Sequence, residues 1–324
     1  MPTDRYVSMP YRRCGTSGLR LPAISLGLWQ GMGSYRDDAT AAAIINRAFD
    51  HGITHFDLAN NYGNPAGASE SLFGRLLKDL PRDELVVTSK AGYRMWPGPY
   101  GDGGSRKYLI SSCEASLKRL NLPYVDIFYL HRFDADTPLE ESIAALAQLV
   151  CQGKALYAGV SSFDEPHLTR AVALARAEGL PLIAHQPRYN LLHRAIESQV
   201  LPTCAREGLG TVAFCPLAQG LLTNKYLGGI PADSRAAVNQ GNGAIGAQAI
   251  TPELINRLRA LDAIAQQRGQ SLAQLAIAWT LRLPAVTTAL IGASRPEQID
   301  ENVAALANLS FTTDELAAID AIVA

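Results

Sequence analysis

Short runs rich in β-branched and apolar residues alternate with stretches whose apolar positions recur at helical spacing, and the alternation runs from about residue 22 to the last turns of the chain. The runs predict strands at 22–28, 53–58, 84–90, 125–131, 155–160, 182–186, 211–214 and 287–291. Between and after them the period changes, predicting helices at 38–51, 68–79, 106–121, 138–152, 164–178, 192–207, 251–282 with a break at 268–270, and 296–307. Every strand is followed by a helix, the pattern of a parallel sheet. Ahead of the first strand, residues 11–21 place a Gly/Ser turn between two short extended runs and predict a hairpin.

Boundary residues support the same division. Asp37-Asp38, Ser105, Thr137-Pro138 and Ser294-Arg295-Pro296-Glu297 stand where helices should start, as side-chain caps or first-turn prolines. Gly52, Gly153, Gly179, Gly208 and Gly269 stand where helices should stop, because glycine enters the left-handed conformation without a Cβ clash. A doubly wound sheet would carry a glycine-rich phosphate turn after its first strand, but the run from Gly27 to Gly33 lacks the GxGxxG spacing. The expected fold is therefore a (β/α)8 TIM barrel with an N-terminal hairpin and an extra C-terminal helix, and a dinucleotide-binding doubly wound fold is the alternative.

Composition narrows the partners. The chain has 324 residues, 29 basic and 30 acidic, and 48% of its residues are hydrophobic. That is enough to bury roughly three quarters of the unfolded surface without a disulfide or metal staple. No linker divides it, so residues 1–324 are expected to form one barrel domain. The charges are mixed along the length, which argues against a nucleic-acid or anionic-membrane role. Five scattered cysteines, never in a CxxC pair, argue against a disulfide framework or a zinc site and point to a reducing compartment. The N-terminal residues contain no apolar stretch of signal-peptide length, so a cytoplasmic protein is expected.

On a barrel of this kind chemistry gathers where the strands end. The second strand runs out through His55-Phe56-Asp57-Leu58-Ala59-Asn60-Asn61-Tyr62-Gly63, the third ends at Lys90 and the fourth at His131-Arg132. Singly, each of Asp57, Tyr62, Lys90 and His131 has an ordinary explanation as a cap, a packed ring or a solvated cation. Together they suit a general acid acting on a carbonyl oxygen. A buried ammonium beside a phenol would lower its pKa from about 10, a carboxylate would keep the ammonium charged, and a neutral imidazole would orient the carbonyl. The long Gly/Pro-rich stretches 92–105 and 228–250 fall between strand and helix, on the same side, and read as functional loops.

These segments, in this order and spacing, resemble the aldo-keto reductases over essentially the full length. The resemblance implies that Tyr62 is the proton donor, Lys90 and Asp57 tune it, and His131 positions the carbonyl while a reduced nicotinamide gives hydride. It places Trp29 at the mouth shared by cofactor and substrate, Asp57 among the cofactor contacts as well, Ser161, Ser162 and Gln186 at the carboxamide, and Phe214, Cys215, Pro216, Leu217 and Gln219 along the nicotinamide and pyrophosphate. Lys225 and Arg235 are implied as phosphate grips. Gly292, Ser294, Arg295, Gln298, Glu301 and Asn302 match the family's adenosine-phosphate segment, where a loop meets a helix N-terminus. Many members carry Lys and Arg where this chain has Ala293 and Gln298. Arg295 is the remaining cation for a 2′-phosphate, and NADP(H) is the expected cofactor.

Within the family, the segments 105–110, 216–218, 229–231 and 292–294 resemble both the β-subunits of voltage-gated potassium channels and the bacterial L-glyceraldehyde 3-phosphate reductases. The loop from Ala91 to Gly101 and the pair His131-Arg132, where the channel group has Asn-Arg, resemble the reductases. The expectation is an NADPH-dependent reductase of a small aldehyde, L-glyceraldehyde 3-phosphate or methylglyoxal, the latter implying detoxification. Its substrate contacts would be Trp29, Tyr62, Arg94, Trp96, His131 and Arg132. The alternative is a cofactor-sensing subunit of a channel-like assembly, and a homo-oligomer, tetramer or octamer, is compatible with either. A metal-dependent hydrolase ranks last, because the strand ends offer only His131, His185 and Asp57 as ligands and no HxH pair.

Overall fold

The computed structural model describes residues 3–29, 31–232, 234–238 and 245–323. Strands β1 (Tyr11–Arg13) and β2 (Arg20–Pro22) form the antiparallel hairpin. Eight parallel strands then close into a barrel: β3 (Ile24–Gly27), β4 (His55–Asp57), β5 (Val86–Ala91), β6 (Val125–Leu130), β7 (Ala155–Ser161), β8 (Leu182–Gln186), β9 (Gly210–Phe214) and β10 (Val286–Ile291). The order around the ring follows the sequence, and β10 pairs with β3 to close it. The fold is the expected (β/α)8 barrel. The first predicted strand is shorter than its apolar run, since Pro22, which has no N–H for a central ladder, ends the hairpin instead.

The helices are α1 (Asp38–Asp50), α2 (Ala68–Leu76), α3 (Arg106–Leu120), α4 (Leu139–Cys151), α5 (Glu165–Ala177), α6 (Val200–Glu207), α7 (Arg235–Val238), α8 (Pro252–Gln267), α9 (Leu272–Leu281), α10 (Glu297–Val303) and α11 (Thr313–Val323). Asp37 and Ser105 cap α1 and α3 as expected, their side chains accepting the N–H of Thr40 at 2.7 Å and of Tyr108 at 3.3 Å. Gly52, Gly153, Gly179, Gly208 and Gly269 all take positive φ. Three boundaries differ from expectation, and at one of them α10 starts after Pro296 without a side-chain cap. The hydroxyl of Thr137 donates to Asp134 at 2.7 Å, leaving α4 without a side-chain cap. The helix predicted at 192–207 begins only at Val200, because Asn190 and His193 close a turn and Pro202 is tolerated only within a first turn.

The hairpin seals one end of the barrel. The Thr16 N–H donates to Gly208 O at 3.0 Å, just ahead of β9, and Arg12 Nη1 donates to Leu281 O at 3.0 Å and Val286 O at 2.8 Å, at the start of β10. Cys14 and Leu21 pack with Val86, Ile127, Ile183 and Val212 inside the strands. Above this plug lies the buried ring of Tyr129, which fits because Gly159 faces it: a Cβ there would lie 2.2 Å from Tyr129 Cε1. The lumen is thus filled from the N-terminal end up to Tyr129, and the strand ends open on the other side, where the loop 92–105 lies.

Candidate active site

Side chains two apart on a strand share a face, so His55 and Asp57 on β4 and Thr88 and Lys90 on β5 all point into the lumen. The β4–β5 register pairs Asp57 with Thr88 and brings the two sets together. Lys90 Nζ donates to Asp57 Oδ2 at 2.5 Å, to Leu58 O at 2.7 Å and to Tyr62 Oη at 3.4 Å. An ammonium has three protons, and these three acceptors use them all. Asp57 Oδ1 accepts from Thr88 Oγ1 at 2.7 Å and from Gln186 Nε2 at 3.1 Å. Lys90 is wholly buried and Asp57 is 1% exposed, with the ammonium 5.9 Å above the Tyr129 ring.

Tyr62 stands over Lys90, its ring partly exposed at the mouth and its hydroxyl turned inward to Nζ. Contrary to the sequence expectation, its pKa lies well above 10. Burial is the main cause, and the charge of Asp57 and the neighbouring Cys215 and Tyr93 add to it. The ammonium does not reverse this, because its charge is already paired at 2.5 Å with Asp57. The phenol therefore holds its proton at neutral pH. Since its oxygen accepts from Lys90, its own O–H is left to donate elsewhere. Burial likewise lowers the Lys90 pKa, opposed by Asp57.

His131, just past β6, is buried between two rings: Tyr62 at 5.9 Å and Tyr93 at 4.7 Å, both edge-on. Burial, then the charges of Lys90 and Arg132, push its pKa well below 6.5, so the imidazole is neutral. Its Nδ1 is buried and has no hydrogen-bond partner among the described residues. Trp29, 37% exposed with its ring 6.4 Å from that of Tyr62, extends this aromatic row across the mouth. The four residues singled out in the sequence thus meet at one point.

The other expected substrate contacts divide. Arg132 is held within the protein: its Nε donates to Gly92 O at 2.9 Å, its Nη2 to Asp102 at 3.0 Å, and its guanidinium lies 5.3 Å from the Tyr93 ring. It ties the loop to the strand end. Arg94 is exposed and makes no ion pair with any described residue. Trp96 packs edge-on against Tyr108 at 5.9 Å with much of its ring in solvent.

The expected cofactor residues flank this point on β7, β8 and β9. Ser161 Oγ donates to Gln186 O at 2.9 Å, and both residues are buried at their strand ends. Ser162, Cys215, Ala218 and Gln219 take positive φ without being glycine. Such backbone strain gathers where a ligand needs a particular arrangement of peptide groups. These strained turns and the buried Gln186 amide have the chemistry to hold a nicotinamide. Phe214, Pro216 and Leu217 continue the same turn, and Lys225 is exposed beyond it. The side chain of Arg235 lies outside the described residues. Farther out, Gln298 Oε1 accepts from Ser294 N at 2.7 Å and Oγ at 3.0 Å, while Arg295 sits 3.7 Å from Glu297 and 3.5 Å from Glu301. Gly292 is exposed and Asn302 buried in the same segment. The helix here has only seven residues, so an anion would depend on side chains more than on the helix dipole.

The profile of the aldo/keto reductase family matches residues 23–324. The chain belongs to this family. It is 55% identical over 326 residues to the L-glyceraldehyde 3-phosphate reductase of Escherichia coli (strain K12), covering 98% of this chain and 93% of that protein. It is 40% identical over 321 residues to a putative voltage-gated potassium channel subunit beta of Schizosaccharomyces pombe, covering 95% and 91%. To a probable channel subunit beta of Arabidopsis thaliana it is 37% identical over 305 residues, covering 92% and 91%. An oxidoreductase with a small-molecule substrate follows from membership, and NAD(P)H is the family's usual cofactor. Among the described residues no helix is long and apolar enough to cross a membrane.

Two participants were not singled out from the sequence. Thr88 fixes Asp57, and Glu70, buried behind β5, accepts from Ser89 Oγ at 2.5 Å and Arg119 Nε at 2.7 Å and bears on Lys90. Strand alternation carried the signal for Thr88, two residues before Lys90 on the same face.

Proposed function

We propose that the protein is a cytoplasmic, single-domain NADPH-dependent reductase of small aldehydes, with L-glyceraldehyde 3-phosphate as the leading substrate and methylglyoxal as the second. The observation that carries this reading is the allocation of protons around Lys90. All three ammonium protons are taken, one by Tyr62 Oη, so the phenol that keeps its own proton presents it to the mouth.

A reduced nicotinamide, when bound, would supply the hydride for a carbonyl carbon. Ser161, Ser162 and Gln186 would hold its carboxamide, Trp29 and Phe214 its ring, and Cys215, Pro216, Leu217, Gln219, Lys225 and Arg235 the pyrophosphate side. Gly292, Ser294, Arg295, Gln298, Glu301 and Asn302 would take the adenosine phosphate, with Arg295 as the cation for a 2′-phosphate. The carbonyl oxygen sits against Tyr62 Oη, with the edge of the His131 ring beside it. Tyr62 gives its proton to the oxygen as negative charge develops there. The resulting phenolate is held by Lys90, whose charge Asp57 maintains. His131, neutral, orients the oxygen without competing for the proton.

Among the side chains of the mouth, Arg94 is suited to a substrate phosphate, since Arg132 is already engaged. The 55% identity to a protein named for this substrate supports the assignment. Removing the phenol tests the mechanism: Tyr62→Phe should lose carbonyl reduction by roughly 10²-fold or more while still binding NADPH. Full turnover by that variant overturns it. A second reading, a cofactor-sensing subunit in a homo-oligomeric tetramer or octamer, draws on the relatives named as channel subunits. Negligible NADPH-dependent turnover of every small aldehyde by the purified protein would favour it.

A further inference from the structure

The interior carries a second line of polar side chains beneath the four residues above. Thr288 Oγ1 on β10 and Ser25 Oγ on β3 lie 2.7 Å apart, and Ser25 Oγ is 2.8 Å from His55 Nδ1. His55 Nε2 is 3.3 Å from Thr88 Oγ1, which is 2.7 Å from Asp57 Oδ1. All five side chains are buried.

The direction of every proton in this chain is determined. A carboxylate only accepts, so the single hydroxyl proton of Thr88 goes to Asp57. The Thr88 oxygen must then accept from His55, which places a proton on Nε2. Burial lowers the His55 pKa to about 4, so the ring is neutral and its Nδ1 accepts from Ser25. Ser25, having used its proton, accepts from Thr288. A ring flipped or protonated on the other nitrogen would set two donors, or two lone pairs, against each other in a dry site.

We propose that His55 is a positioning residue for the reductase centre: as the Nε2–H tautomer it commits the Thr88 proton to Asp57, fixing the carboxylate that pairs with Lys90. The charged groups acting on His55 are Asp57 and Lys90 themselves. The inference rests on the reading of the centre given above, and the experiment separates the two.

The 324-residue chain has six histidines, so ring 15N labelling gives a small set of signals, with His55 assigned by its loss in His55→Gln. The expected state at pH 7 is the neutral Nε2–H tautomer. An Nδ1–H tautomer or an imidazolium overturns the proposal, whatever the activity. In steady state with NADPH and methylglyoxal, Thr88→Val should lower kcat about tenfold, the loss of one hydrogen bond to a charged group, with KM and NADPH affinity kept within about twofold. Thr88→Ser should recover most of that rate. Thr88→Val with wild-type kcat, or with only KM changed, overturns the inference while leaving the centre intact if Tyr62→Phe is inactive. A fully active Tyr62→Phe overturns the reading of the centre itself.

Discussion

Lys90 Nζ lies 2.5 Å from Asp57 Oδ2 inside the barrel, and neither side chain has appreciable contact with solvent. Two opposite charges in such a place are tolerable only together. Removing one leaves the other desolvated and unpaired, at a cost of about 3–5 kcal/mol.

Lys90→Met should therefore abolish turnover and also lower the midpoint of urea unfolding, because Asp57 is left charged against Thr88 and Gln186 alone. Lys90→Met combined with Asp57→Asn should recover much of that stability and none of the activity. Equal instability of the single and double variants would show that the pair is not coupled.

Arg132 and Arg94 should separate in a substrate comparison. Arg132→Ala releases the loop from Gly92 O and Asp102, and should lower kcat for phosphorylated and unphosphorylated trioses alike. Arg94→Ala should raise KM for L-glyceraldehyde 3-phosphate about tenfold or more, as loss of a charge-assisted contact does, and leave glyceraldehyde unaffected. If both variants keep the wild-type preference for the phosphorylated substrate, the phosphate lies elsewhere.

Arg295 is the side chain on which the choice between dinucleotides should turn. Arg295→Ala is expected to weaken NADP⁺ binding about tenfold and NAD⁺ binding little, since only the former offers a 2′-phosphate. Fluorescence titration of both dinucleotides checks this. Equal losses for the two would assign Arg295 to the adenine or to packing.

The buried histidines make stability fall on mild acidification. His185 is pushed down to about 3 and His55 to about 4, in each case chiefly by burial. The unfolded rings, titrating near 6.5, bind protons that the native rings refuse. The stabilisation is complete above pH 6.5 and is lost as pH falls through the window between the unfolded and native values, at up to about 1.4 kcal/mol per pH unit for each ring. For His185 the structural reason is direct, because its Nε2 accepts the Phe163 N–H at 3.2 Å. Urea unfolding at pH 7, 6 and 5 should show the decline, and His185→Gln should flatten it by about one proton's worth. An unaltered slope in that variant would contradict the assignment.

Much of this was legible in the chain before any coordinate. Strand positions follow from apolar runs, helix ends from Asp37, Ser105 and the five left-handed glycines, and the convergence of Asp57, Tyr62, Lys90 and His131 from their places at strand ends. What escaped depends on register and on burial. That Arg132 would be taken up by Asp102 is set by the path of a loop with no period of its own. The direction of the Tyr62 shift needed the desolvation of its hydroxyl and the neutralisation of its neighbour, which composition and spacing do not contain. The late start of α6 turned on a single proline and a tight turn at Asn190.

The seam between β3 and β10 has a consequence for synthesis. A growing polypeptide has made Asp57, Tyr62, Lys90 and His131 well before it makes Val286–Ile291, yet until that last strand pairs with Ile24–Gly27 and Arg12 finds the carbonyls of Leu281 and Val286, no closed ring exists to gather them. A nascent chain therefore holds all four side chains before the barrel around them can close. The ring around those groups is thus completed by the last strand to be made, and its closure joins the two ends of the barrel sequence at one seam.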